Sequence, residues 1–218
     1  WVSSLIVDRM SMLDKAKHPF YKIADVEFYL AEKDGEVVGR IAAIVNHIHN
    51  KTHEDKVGFF GFFECINDQE VANKLFDTAK EYLISKGMDT MRGPMNPSTN
   101  YEVGMLINAF DQSPQIMMSY NPEYYLALCD NYGFKKSKDL YAYYLKNENT
   151  VTEKLKRVSE IVQKRRPFVV RTINMKDFDN EVAKVKEVYN DAWSKNWGFV
   201  PYTDAEFDQL AKDLKLII

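Results

Sequence analysis

The run Val57-Gly58-Phe59-Phe60-Gly61-Phe62-Phe63-Glu64-Cys65 constrains the fold more than any other part of the chain. It is apolar at odd and even positions alike, which suits a central strand covered on both faces. Two glycines inside so apolar a strand weaken it, so they point to a bulge or to the close approach of another backbone. The residues on either side supply the rest of a sheet. Residues 26–32 read as a strand, Asp34-Gly35 as the centre of a hairpin turn, and 37–47 as a second long strand rich in Val and Ile. A polar loop is expected over 50–56 before the central strand begins.

After the central strand, Val71, Leu75, Ala79, Tyr82 and Leu83 fall on one helical stripe that Gly87 ends. Asn67 followed by Glu70 has the spacing of a capping box. Residues 88–92 read as a short strand, so the fold class is α/β, a mixed and largely antiparallel sheet with helices packed on it. Residues 93–102 form an irregular loop dense in polar side chains. A strand over 115–120 follows, then a helix from Pro122 to Asn131 stopped by Gly133, and a strand over 134–145. Beyond a polar linker at 146–150, a helix over 152–166 carries Leu155, Val158, Ile161 and Val162 inward. A strand at 168–173, a helical stripe from Val182 to Ala192 and a final helix at 204–214 restart the α/β pattern. The expected division is a domain over 1–147, a linker helix over 148–166 and the incomplete start of a second unit over 167–218. The chain opens on Trp1 and closes on an apolar stretch, so both ends read as cut.

Charge and cysteine use narrow the function classes. A formal charge of −3 argues against a general nucleic-acid binder, which needs a basic surface to displace counterions. Two cysteines, Cys65 and Cys129, are too few for a disulfide framework and point to reduced thiols in the cytoplasm. No run is long enough to span a bilayer, and no membrane partner is expected.

The order of strands and helices resembles the GNAT acyltransferase fold. The residues carrying the resemblance are 30–39, Phe62-Phe63-Glu64-Cys65 and Tyr132-Gly133-Phe134. The chain is more closely similar to an uncharacterised bacterial family of tandem GNAT-like proteins. The marks of that family are residues 57–64, Gly93-Pro94-Met95-Asn96-Pro97-Ser98-Thr99-Asn100, Tyr120-Asn121-Pro122 and Asn196-Trp197-Gly198-Phe199-Val200-Pro201. The resemblance implies acetyl-CoA or another acyl-CoA as co-substrate, no metal, and an amine as acceptor. It implies that Phe62, Phe63, Glu64 and Cys65 hold the pantetheine by their backbone. The phosphates would then meet Asn67, Val71 and Ala72 at a helix N-terminus. Residues 66–73 lack the Gly and Arg of the family's phosphate turn and place Asp68 and Glu70 there instead.

Many such enzymes carry a tyrosine acid four residues before the Gly of the Gly-Phe pair. That position here is Cys129, and Tyr125 lies one turn earlier on the same face. Tyr125 is therefore the candidate acid, with Glu102 and His53 as candidate bases. The polar loop offers Asn96, Ser98 and Asn100 to an acceptor, although a loop that satisfies its own backbone explains the same residues. His47, His49 and His53 beside Asp55 invite a metal reading or a strand running into a polar loop. Two functions follow. One is an N-acyltransferase, and the other is an inactive GNAT-like lobe whose partner repeat carries any CoA site. Aminoacyl transfer from charged tRNA is a weaker third, which the net charge disfavours.

Overall fold

The computed structural model describes residues 5–115, 118–146, 151–166 and 168–214. The chain divides into two compact units, Trp1–Ser137 with Val185–Ile218, and Lys138–Lys184.

The first unit is built on a mixed sheet of β1 (Ala24–Lys33), β2 (Glu36–Asn46), β3 (Val57–Cys65) and β4 (Thr90–Arg92), in that spatial order. The first three strands run antiparallel and β4 joins β3 in parallel. Asp34 and Gly35 both take positive φ, 55° and 81°, the geometry of a type I′ hairpin turn. β3 is buried on both faces, as its composition requires, and its alternation breaks once. Val57, Phe59 and Phe62 join one apolar cluster with Phe20, Val26 and Ile44. Phe60, Phe63 and Cys65 join the other. A strict period of two would have put Phe63 and Cys65 on the same face as Val57 and Phe59. The extra residue shows in the pairing, where Arg40 faces Glu64 but Ala42 faces Gly61, and Phe62 turns to φ 49°.

α3 (Gln69–Ser85) packs Val71, Ala72, Leu75, Phe76, Ala79 and Leu83 onto one face of the sheet, and α4 (Tyr124–Tyr132) adds Tyr125 and Leu128. α4 closes as expected at Gly133, which takes φ 101° and lets Phe134 donate back to the Cys129 carbonyl. The opposite face is covered by a short 3₁₀ turn at Pro19–Lys22, by Met12 of α1 (Ile6–Leu13) and by a two-stranded ribbon of β5 (Met95–Asn96) and β6 (Glu102–Val103).

Several expectations are corrected. β2 stops at Asn46, whose side chain accepts from the His49 amide and starts α2 (His47–His53) where a strand end and a loop were expected. His47 and His49 therefore lie on a helix rather than on one strand face. The cap of α3 is Asp68, not Asn67. Its carboxylate accepts from the Glu70 and Val71 amides at 3.0 and 3.3 Å. The 93–102 segment contains β5 and the first residue of β6 and so is only partly irregular.

The described residues 134–146 form no strand. Leu140, Tyr141, Tyr143, Tyr144 and Leu145 are 57–86% exposed, and alternation alone makes no strand without a ladder partner. Of the strand expected at 115–120, residues 116 and 117 lie outside the described residues and the rest is irregular. The second unit contains α5 (Glu153–Arg165), capped by Thr152 through the Leu155 amide. Its apolar stripe of Leu155, Val158, Ile161 and Val162 is present but largely exposed rather than inward. Residues 168–173 are irregular where a strand was expected.

α6 (Phe178–Trp193) begins in the second unit, where Glu181 accepts two bonds from Arg171 and one from Lys184. These cations hold its carboxyl down to about 2. In the first unit, α7 (Asp204–Leu214) starts from a reciprocal Thr203–Glu206 capping box, and Tyr189 of α6 packs against Tyr202 and Phe207.

Candidate functional site

β3 and β4 stay paired only from Val57–Thr90 to Phe59–Arg92, and then separate. What meets β3 beyond that point is the short strand β5 and then the start of α4. The Met95 carbonyl sits so close to Gly61 that a Cβ there would overlap it, which explains this glycine inside a central strand. Asn96 accepts the Phe62 amide at 2.6 Å through its side chain. At the strand's end the two tyrosines that open α4 take over. Tyr125 accepts the Cys65 amide at 3.0 Å and donates to Glu64 Oε2 at 2.7 Å, while Tyr124 donates to the Cys65 carbonyl at 2.8 Å.

The electrostatics of this corner favour the protonated phenol. Burial, and then the Glu64 carboxylate, push the Tyr125 hydroxyl far above its ordinary value. Burial first, and Asp68 second, push the Cys65 thiol up to about 11, and burial pushes Cys129 up to about 12. Both thiols are therefore held in the protonated form near neutrality, the less nucleophilic of the two. Glu64 is exposed to solvent and also lies 3.6 Å from Arg40.

The N-terminus of α3 already holds an anion of its own. Asp68 takes the Glu70 and Val71 amides and pairs with Lys33 at 2.9 Å, and the Lys33 ammonium holds its carboxyl below the usual range. Val71 and Ala72 are buried on the sheet-facing side of α3, and Asn67 lies exposed just before the helix. An incoming phosphate would have to displace the Asp68 carboxylate.

The polar loop is held from the other side. Ser98 and Asn100 are buried, and the Ser98 hydroxyl accepts the Asn100 amide. Tyr202 donates to the Asn100 carbonyl at 2.6 Å, Thr99 to the Gly198 carbonyl at 2.7 Å, and Tyr101 to Glu206. Glu102 accepts from Arg9 of α1 at 2.9 and 3.1 Å. His53 Nε2 lies 2.8 Å from the Phe199 carbonyl and so carries the proton there. His49 is buried beside Asp55, with 3.5 Å between Nε2 and Oδ2, and burial first and His53 second lower it to about 4. Among the described residues no group of three or more His, Cys, Asp or Glu could hold a metal ion.

The structure thus joins Tyr125 to Glu64 and Cys65, and Phe62 to Asn96. Ser98 and Asn100 bond within their own loop and to its cover, and Glu102 and His53 are engaged by Arg9 and Phe199. Sequence reading missed Tyr124 as the partner of the Cys65 carbonyl, though the Tyr124-Tyr125 pair beside a helix start was a signal. It also missed Arg9 and Lys33, for which local sequence carries none. A cleft of about 330 Å³ between the end of α3, β4 and Phe134 holds none of these candidates.

Two known proteins are similar to the whole chain. The bacterial ceramide synthase of Caulobacter vibrioides is 36% identical over 225 residues, an alignment covering 100% of this chain and 57% of that protein. Protein YghO of Escherichia coli is 32% identical over 219 residues, covering 100% of this chain and 55% of that protein. The chain therefore spans about half the length of the curated relatives it matches. No family model matches the chain, and no solved structure does. Among the described residues no helix is long and apolar enough to cross a membrane.

Proposed function

We propose that the protein is a GNAT-like N-acyltransferase, moving an acyl group from a CoA thioester to the amine of a long-chain amino alcohol. The name of the Caulobacter relative supports the acceptor class, because a ceramide is an amide between a fatty acyl group and such an amine. The splayed strands and the bulge at Phe62 support the GNAT-like reading. A CoA thioester as donor implies action in the cytoplasm.

The observation that carries the proposal is the Glu64–Tyr125–Cys65 arrangement. Acyl transfer needs a base for the amine and an acid for the departing thiolate. The amine nitrogen attacks the thioester carbonyl, and the Glu64 carboxylate takes the proton that the nitrogen must lose. Breakage of the C–S bond leaves a thiolate, whose conjugate acid has a pKa of about 8.5. Tyr125 gives that thiolate its hydroxyl proton, and Glu64 returns a proton to the phenolate across their hydrogen bond. The products are an amide and a free thiol, and the pair ends as it began.

One observation favours a second reading. With Asp68 seated on the α3 amides, this half would be a binding or scaffolding lobe, and the CoA phosphates would sit elsewhere in the protein. Thiol release by the full-length protein, supplied with acyl-CoA and a long-chain amino alcohol, separates the two. Turnover that collapses in Glu64→Gln and Tyr125→Phe supports transfer at this site. Turnover that both variants keep transfers the chemistry to the other half, and no turnover with any acyl-CoA and amine pair removes the acyltransferase reading.

A further inference from the structure

In the second unit every residue from Val151 to Arg166 is exposed, yet α5 is a regular helix of about 20 Å with its start fixed by the Thr152 cap. Leu155, Val158, Ile161 and Val162 follow one another at three- and four-residue steps and share one side. They are 54, 43, 43 and 46% exposed, so the stripe meets solvent along its whole length.

The charges of α5 are sorted about that stripe. Lys154 stands one turn before Val158 and Arg157 one turn before Ile161, while Lys164 and Arg165 stand one turn after Ile161 and Arg166 one turn after Val162. The two carboxylates, Glu153 and Glu160, are three or four residues from no member of the stripe. Glu153 pairs with Lys156 at 2.8 Å, away from the stripe. Among the described residues no carboxylate pairs with Lys154, Arg157, Lys164, Arg165 or Arg166. Even with Glu160 set against one of them, four cations remain uncompensated beside the apolar side. The second unit as a whole carries eleven lysines and arginines against seven carboxylates, in a chain of formal charge −3.

We propose that α5 lies in the surface of an anionic lipid bilayer, with Leu155, Val158, Ile161 and Val162 in the acyl boundary and its cations among the headgroups. The stripe asks for an apolar medium and the flanking cations for negative charge, and an anionic interface supplies both side by side. A nucleic acid would meet the cations but leave the stripe in water. At 13 residues with seven charges, the helix is too short and too polar to cross the bilayer and can only lie on it. On the function proposed above, the protein is then held at the surface in which a long-chain amine dissolves. The docking itself does not depend on that function.

The test is co-sedimentation of the full-length protein with vesicles of phosphatidylcholine and phosphatidylglycerol, compared with phosphatidylcholine alone. Binding should be several-fold weaker on the neutral vesicles and in high salt. Val158→Asp should weaken it by about tenfold or more while circular dichroism and the thermal midpoint stay unchanged, because the side chain is exposed. Arg165→Gln with Arg166→Gln should weaken it by about fivefold per cation removed. Absence of binding to the anionic vesicles overturns the proposal. Binding that Val158→Asp keeps and the arginine variant loses also overturns it, since that is attraction without insertion. A fall in thermal midpoint or the splitting of a dimer by Val158→Asp does the same, because another part of the protein or a second copy would then cover the stripe. These readouts need no turnover, so a failure to find acyl transfer leaves them decisive for the docking.

Discussion

The hydroxyl of Tyr125 stands between the Glu64 carboxylate, 2.7 Å away, and the Cys65 amide, 3.0 Å away. It thereby links the first turn of α4 to the end of the central strand. Each partner constrains the hydroxyl differently. The carboxylate fixes where its proton points, and the amide fixes the oxygen on the strand axis.

Tyr125→Phe removes both bonds and leaves the Cys65 amide without its acceptor. The expected loss of stability is about 1–3 kcal/mol, the usual cost of an unsatisfied buried donor. If Tyr125 is the acid, thiol release falls by about a hundredfold or more. Glu64→Gln keeps an acceptor for the hydroxyl but cannot take up a proton, so turnover should fall while the urea midpoint barely moves. A variant pair that loses stability but not turnover would reduce the arrangement to a structural clamp.

The glycines of the first unit differ sharply in what they tolerate. A Cβ on Gly61 would overlap the Met95 carbonyl, whereas Gly35 faces open space and is limited only by its φ of 81°. Gly61→Ala should cost about 3 kcal/mol or more through forced backbone movement. Gly35→Ala should cost only about 1–2 kcal/mol, for left-handed strain. Denaturant melts of the two variants check the contrast, and equal losses would mean that β5 moves aside freely.

Asp68 sets both the start of α3 and its capacity for an anion. Its folded carboxyl is held below the unfolded value, chiefly by Lys33. Its contribution to stability is therefore present above the unfolded carboxylate range and lost as pH falls through the folded value. Asp68→Gly should lower the thermal midpoint near neutrality, with the gap from wild type closing in acid. The same change frees the Glu70 and Val71 amides, so free CoA should bind the full-length protein several-fold more tightly. Calorimetry that finds unchanged CoA affinity would place the phosphates away from this helix.

Much of the sheet was legible because its signals are local. The apolar run of β3, the Asp34-Gly35 turn, the stripe of α3 and the Gly133 stop each depend on neighbours in sequence. The α2 helix was hidden because Asn46 ends a strand by capping a helix, and a polar stretch such as 47–56 carries no period. The strand expected at 134–145 had alternation, yet a strand also needs a ladder, and no local pattern reports a partner. The site was half legible for the same reason. Tyr125 could be reached by its place on α4, whereas its pairing with Glu64 spans 61 positions in sequence. Arg9 reaches Glu102 across 93 positions and could be found only in three dimensions.

The buried His49 makes the first unit sensitive to mild acid. Its neighbours are His53 and Asp55 on or beside α2, Arg92 from β4, and Phe59, whose ring meets it edge-on at 4.8 Å. Burial, with His53 and Arg92 opposing its protonation and Asp55 favouring it, lowers the imidazole to about 4. The unfolded chain takes up this proton near pH 6.5 and the folded one does not, so stability declines as pH falls from about 6.5 towards 4. Complete passage through that window corresponds to roughly 3 kcal/mol for this one group. His49→Phe keeps an aromatic ring against Phe59 and leaves the Asn46 cap intact, because that cap uses the backbone amide. The variant should therefore lose stability less steeply between neutrality and mild acid than wild type does. Urea unfolding at a series of pH values measures both slopes, and coincident slopes would assign the acid sensitivity to other groups.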